Sequence, residues 1–464
     1  MLLIKHPDSY PAERAYVHEV VLSEFLGLRW RSEARPEGPV ELVAPADGQR
    51  RLRIADVLFS TRPEQWLTAA SLPARPLARW DVGASPLAPT LVSTQLPIVY
   101  GEEPLYAEDP GRSISLGVDL LGSIFFQLSR YEEVAHNERD QHERFPAAAM
   151  LARQEGFLDR PLVNEYVEVL RSALTRLWPG FSTRRRSFAL RLSHDVDWPT
   201  HARLSVPGAG KAMLGDLVRR RDPGLVPTRV ATLRAQRRRR PSEDPYNTFD
   251  FIMDQSEVHG LRSAFYFMSG RSDPRYDSTY SLQSDWVSAL LARVHERGHE
   301  IGLHPSYSTF RDPDRVHAEF GALLRACERL HISQTAWGGR QHFLRWENPT
   351  TWRAWARAGL DYDSSLGFSD AAGFRCGVCF EYPVFDLHER RELPLRERPL
   401  IVMEMAVIDG GPSRDSEALS AIALLRERCQ RFGGEFTLLW HNSRLASPRE
   451  RRLYAAAVAG NSEF

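Results

Sequence analysis

Lysine, cysteine and net charge are all in short supply in this chain. Of 464 residues only Lys5 and Lys211 are lysines, so almost every basic side chain is arginine, and Lys+Arg and Asp+Glu balance at 60 each. A formal charge of zero gives no global field to draw in nucleic acid or an anionic membrane, and no nucleic-acid partner is expected. Four cysteines (Cys327, Cys376, Cys379, Cys429) are too few for a disulfide scaffold. Cys376-Gly-Val-Cys379 has the spacing of a metal or redox pair. No second pair follows at zinc-finger distance, so it reads as small buried thiols. No apolar run approaches the ~18–20 residues that a membrane span needs. The opening Met-Leu-Leu-Ile-Lys-His-Pro has no basic lead, long apolar core or small-residue cleavage site, so a cytoplasmic location is the default expectation.

What the chain has is core-forming material. It is 42% hydrophobic and 26% charged, enough to bury substantial cores in two or three domains. Residues 1–183 read as an α+β unit, with helices expected over Tyr16–Leu26, Leu116–Arg130 and Leu162–Leu177 and strands over Leu52–Phe59 and Leu91–Val99. Residues 184–464 read as a second unit. Within it, about 201–245 carries Arg219-Arg220-Arg221 and Arg237-Arg238-Arg239-Arg240. That segment is either a solvated helical insertion or an anion-binding arm; it has no interleaved aromatics for base stacking. From Thr248 onward strand-like and helix-like segments alternate regularly, which indicates a parallel sheet, open or closed into a barrel.

The segment Phe188–Thr200 carries the first chemistry. Phe188, Leu190 and Leu192 alternate with polar residues as in a strand, which runs into Ser193, His194, Asp195 and Asp197. In extended chain Asp195 and Asp197 point to the same side, and two close carboxylates repel unless a cation or a shared proton holds them. Other polar residues fall at the ends of predicted strands: His304, Arg340 and His342, Asp363, and His441. If the strands line a barrel, these converge at one mouth. An Asp/His set suits a divalent ion, zinc foremost.

The order of these segments resembles the polysaccharide deacetylases with NodB homology, carbohydrate esterase family four. Ser193-His-Asp-Val-Asp197 is similar to that family's first motif, Thr-Phe-Asp-Asp. Gly298-His-Glu-Ile-Gly-Leu-His304-Pro-Ser-Tyr-Ser308 is similar to its Gly-His-Glu-Ile-Gly-x-His-[Ser/Thr]-x-x-His segment. Arg340 falls at the arginine motif, Asp361-Tyr-Asp363 at the fourth and Leu438-Leu-Trp-His441 at the closing Leu-x-x-His. The likeness covers roughly 188–445, and 1–183 resembles an uncharacterised region often fused to a deacetylase subgroup.

The resemblance implies a distorted seven-stranded (β/α) barrel and a metal-dependent hydrolase that removes N-acetyl groups from a sugar or glycan in envelope or exopolysaccharide metabolism. It makes Asp195 the general base, Asp197 and His304 metal ligands, Arg340 the residue that holds the base and His441 the general acid. Tyr307, Ser308, Asp363 and Trp440 are substrate-contact candidates. Three departures stand out. The adjacent acids are separated by Val196, so base and ligand could be exchanged, or His194 could replace either. The second motif histidine is Ser308. His342 follows the arginine, where it could complete an Asp-His-His set or instead bond substrate or Tyr307. A glycan-binding homologue, an amidase on a non-sugar C–N bond and a polyanion binder are the rival readings. Oligomeric state is left open.

Overall fold

A computed structural model of the chain describes residues 1–44, 47–201, 209–211, 213–215, 225–238, 240–409 and 412–460. Strands β1 (Leu2–Pro7), β2 (Trp30–Arg35), β3 (Val40–Ala44), β4 (Asp47–Ile54), β5 (Ala78–Asp81), β6 (Gln95–Ile98), β7 (Gly101–Asp109) and β8 (Ser113–Val118) come first. All but the β5–β6 hairpin form one sheet of order β2-β1-β3-β4-β8-β7. Buried and half-buried residues alternate along β1, the pattern of a sheet with one covered face. Helix Pro11–His18, extended by a π-helical segment Glu19–Phe25, and helices Leu120–Leu128 and Leu162–Leu177 accompany this sheet. The helix expected over Leu116–Arg130 starts later. Leu116 pairs with Ile54 in β4, and Asp119 caps the helix by accepting the Gly122 N–H at 2.7 Å.

A second sheet begins with β9 (Ala189–Val196) and continues through β10 (Ser263–Phe267), β11 (Glu300–Leu303), β12 (Gly338–Gly339) and β13 (Tyr362–Asp363). An edge hairpin, β14 (Tyr382–Asp386) and β15 (Arg391–Glu397), follows, then β16 (Val402–Met403) and β17 (Glu435–Leu439). The order is β14-β15-β13-β12-β11-β10-β9-β17-β16, parallel throughout except for the antiparallel β14–β15 pair. Helices between the strands cover the sheet, so β10 is buried at every position, as expected of a parallel sheet.

The expected parallel α/β sheet is present, but the seven-stranded barrel is not: among the described residues the sheet has nine strands, and its end strands β14 and β16 do not pair with each other. Backbone bonds near the open side run from Leu400 N–H to Leu366 O (3.1 Å) and from Gly373 N–H to Ile401 O (3.0 Å). Arg219–Arg221 and Arg239 of the basic segment lie outside the described residues, whereas Leu225–Arg238 is a helix and Arg240 pairs with Glu243. All four cysteines are buried free thiols.

The two sheets share a continuous apolar core running from Leu2 to Val458. Across it lies a buried ion cluster: Glu133 accepts from Arg130 Nε at 3.0 Å and from Arg375 Nε and a terminal nitrogen at 2.9 and 2.7 Å. All three side chains are at most 2% exposed. Burial alone would raise the Glu133 pKa, but the two arginines hold it below the ordinary value. Removing one member of such a cluster strands uncompensated charge, which costs about 3–5 kcal/mol. Glu133→Ala is therefore expected to lose stability of that order in urea unfolding, and Arg375→Ala less, because Glu133 keeps Arg130.

Candidate metal centre

The polar strand ends meet at the C-terminal edge of the second sheet, where parallel α/β folds present their ligand-binding groups. Asp195, next to last in β9, is 3% exposed, and Asp197 lies just beyond the strand end. Its Oδ1 accepts from Arg340 at 2.8 Å. Arg340, just beyond β12, is fully buried and spends its remaining donors on Ser193 Oγ (3.0 Å), Ser364 Oγ (3.0 Å) and Ser364 O (2.9 Å). Its guanidinium also lies 5.0 Å from the Tyr266 ring centroid. A fork with four fixed acceptors holds the Asp195 carboxylate in one place, which a lysine could not do.

Asp197 is the point where three imidazoles meet. Its Oδ1 is 3.0 Å from His304 Nε2 and 3.7 Å from His342 Nε2, and its Oδ2 is 3.6 Å from His441 Nε2. Each ring is tied from behind. His304 Nδ1 lies 2.6 Å from Arg340 O; a carbonyl only accepts, so this nitrogen carries a proton, and Nε2 is the atom that can offer a lone pair when the ring is neutral. His342 Nδ1 lies 3.0 Å from Asp277 Oδ1, and His441 Nδ1 lies 2.6 Å from Glu404 Oε1. Asp277 also accepts from the backbone of Ser272, Asp273 and Tyr307. Burial would raise its pKa, but His342 and these N–H groups hold it below the ordinary carboxylate value.

The same balance decides the histidines. Burial pushes His441 down, yet the charge and hydrogen bond of Glu404, with Asp197 and Asp195 behind, raise it to about 10. For His342 burial prevails over Asp277 and Asp197, and the pKa falls. Burial also opposes the charged form of His304, but Asp195 and Asp197 outweigh it and its pKa rises.

Asp197, His304 and His342 offer ligand atoms that all lie within 4.8 Å of one another. Asp197 Oδ1 and His304 Nε2 are buried and, although close, make no aligned hydrogen bond with each other or with any other group. A carboxylate oxygen and two imidazole nitrogens converging on one point, with the rings fixed from behind by the Arg340 carbonyl and the Asp277 carboxylate, fit a divalent ion.

The other predicted residues lie around this centre or away from it. Tyr307 is buried, its hydroxyl 2.9 Å from His142 Nδ1 and its ring stacked on Tyr276. Ser308 is exposed, with its backbone N–H on Ser272 Oγ. Asp363 is fully buried and accepts from Ser365. Trp440 and His194 belong to the opposite face of their strands. The Trp440 indole packs on Tyr454, and His194 bonds the Trp440 carbonyl at 2.6 Å and Ser263 Oγ at 3.2 Å. Strand alternation thus separates both from Asp195 and His441.

Sequence reading missed Glu404, Asp277 and His142. Glu404 ends the apolar run Leu400–Met403, the same signal that marks Asp195 and His441. Asp277 and His142 sit in loops without periodicity and give no such signal.

Asp363 and Glu397 are register partners on neighbouring parallel strands. Burial raises both pKa values, and the Asp363 charge raises Glu397 further. A carboxyl with a raised folded-state pKa favours folding in its neutral form. That contribution is full below its unfolded value of about 4 and is lost as pH rises through the folded value. Between pH 5 and pH 8 the wild type should therefore lose urea stability relative to Asp363→Asn; an equal pH response in both proteins counts against the assignment.

Residues 2–179 match a family described as of unknown function, DUF7033. No curated protein sequence matches the chain. Among solved structures, a crystal structure from Mycobacterium smegmatis, assigned provisionally as a polysaccharide deacetylase, aligns at 15% identity over 60% of this chain and 85% of that one, with a TM-score of 0.36.

Proposed function

We propose that this protein is a metal-dependent hydrolase of C–N amide bonds that removes N-acetyl groups from a sugar or glycan, in envelope or exopolysaccharide metabolism. The observation that carries the reading is the convergence of Asp197, His304 and His342 beside an Arg340-held carboxylate and a Glu404-held imidazole. The motif resemblance across residues 188–445 supplies the substrate class. Asp197, His304 and His342 would hold the ion, with zinc suited to two imidazoles and a carboxylate. When bound, the ion supplies Lewis-acid polarisation of an acyl oxygen and of water.

The chain's own groups divide the proton work. Asp195 accepts the proton of the attacking water; Arg340 keeps that carboxylate oriented and compensates its charge. His441, with a pKa raised to about 10, retains its proton at neutral pH and presents Nε2–H to the departing nitrogen. Protonation there matters because an amine anion is a poor leaving group. Glu404 fixes the ring by accepting from Nδ1, the role an orienting carboxylate plays for a catalytic imidazole. Residues 1–183, in this reading, form an α+β unit beside the 184–464 catalytic unit.

The metal reading predicts about one zinc per chain in the purified protein, with His304→Ala and Asp197→Ala losing it. A wild type that binds no stoichiometric divalent ion would leave the glycan-binding reading in its place. Acetate release from a panel of N-acetylated sugars tests the substrate class. Glu404→Gln should lower kcat by about 10²–10⁴, the usual reach of general acid–base catalysis, with metal content retained. A variant with wild-type kcat removes Glu404 from the proton path.

A further inference from the structure

His342 stands on a turn that is unfavourable by itself. The next two residues, Phe343 and Leu344, both have left-handed backbones, with φ of 60° and 55°, a region that side chains with a Cβ adopt at a cost. Such a turn persists only where surrounding contacts over-determine it. Here those contacts come from the loop ahead of Phe145, nearly two hundred residues earlier. Arg144 donates to the Phe343 carbonyl at 2.9 Å. Its guanidinium is aimed there by Asp140, which accepts from Arg144 Nε at 2.8 Å and from the His142 and Arg144 backbone N–H groups.

Arg345, on the far side of the turn, returns the contact. It donates to His142 O at 2.9 Å and to Tyr307 O at 2.7 Å and pairs with Glu143. His142 closes the arrangement through the Tyr307 hydroxyl. Two arginines thus exchange backbone carbonyls across the boundary between residues 1–183 and the second sheet.

We infer that Arg144 is a positioning residue for the metal centre: the N-terminal segment latches the 342–345 turn and so holds His342 as third ligand. This rests on the metal reading proposed above. It gives the N-terminal segment a task inside the site. Because the guanidinium serves Asp140 and Phe343 at once, lysine cannot replace it.

The test is zinc affinity by competition with a chromophoric chelator, run on full-length wild type, Arg144→Ala, Arg144→Lys, His342→Ala and the Arg144→Ala/His342→Ala double variant. Groups that orient ligands typically account for 10–100-fold in metal affinity, so Arg144→Ala is expected to weaken zinc binding by about that factor. Arg144→Lys should fall on the same side, and it carries the test if the alanine variant does not fold. In the His342→Ala background, Arg144→Ala should cause no further loss, because the ligand it acts through is gone. Wild-type affinity in both Arg144 variants overturns the inference and leaves the metal reading standing. An equal fold-loss with and without His342 also overturns it, since that marks general loosening. A wild type without zinc affinity takes both down together.

Discussion

One carboxylate facing three imidazoles organises the site. Asp197 lies within 3.0–3.7 Å of His304, His342 and His441, and what those rings do depends on what stands behind them. A carbonyl behind His304 keeps a proton on Nδ1 and turns Nε2 towards Asp197. Asp277 and Glu404 stand behind His342 and His441 in the same way, yet burial lowers the first pKa and is outweighed at the second. The difference lies in the wider surroundings. At His342 burial exceeds the pull of Asp277 and Asp197, while His441 faces Asp197 and Asp195 in addition to Glu404. Two rings with similar partners are thereby set to different tasks, one to give a lone pair and one to keep a proton.

That convergence depends on how closely the strands approach. Gly302 of β11 and Gly338 of β12 leave room where a side chain could not fit. A Cβ on Gly338 would lie 2.2 Å from the Tyr362 ring, and one on Gly302 would lie 2.4 Å from Gly338 O and 2.5 Å from the Tyr266 ring. The tyrosines fill that space and bond each other at 3.1 Å. Arg340 then lies over Tyr266 with its charge directed at Asp195. Small residues on two strands, large rings on their neighbours and one buried guanidinium form a single packing unit beneath the strand ends.

Much of this was legible beforehand, for a physical reason. In a parallel sheet buried on both faces, an apolar run that breaks into Asp, His or Arg marks a strand end, and strand ends share one edge. That logic places Asp195, Asp197, His304, Arg340 and His441 at one edge without coordinates. It is blind to facing, so Trp440 and His194, each one residue off register, turn into the layer beneath the helices. It also fails where a strand is very short: β16 holds only Val402 and Met403 before Glu404 and a helical turn. The β14–β15 hairpin went unread because Arg391–Glu397 carries so much charge for a strand; it lies next to the edge strand β14, and its Arg396 is paired with Glu24 and Glu381.

The N-terminal segment is harder to read because nothing periodic reports a contact between loops. Its attachment is of an expensive kind. A buried triad of Glu133, Arg130 and Arg375 must overcome the desolvation of three ions, and apolar residues of the same volume would often hold two surfaces together as well or better. What ions add is register, since Arg375 reaches Glu133 in only one relative placement. It also donates to Gly367 O at 2.8 Å, four residues beyond Asp363. The same placement sets the loop carrying Asp140, His142 and Arg144 against the turn behind His342, where an error of an ångström would break the exchange of carbonyls. An apolar interface tolerates sliding; a site that needs one imidazole nitrogen in one position does not. Fixed register at the interface and fixed ligand geometry at the strand ends are therefore two parts of one constraint.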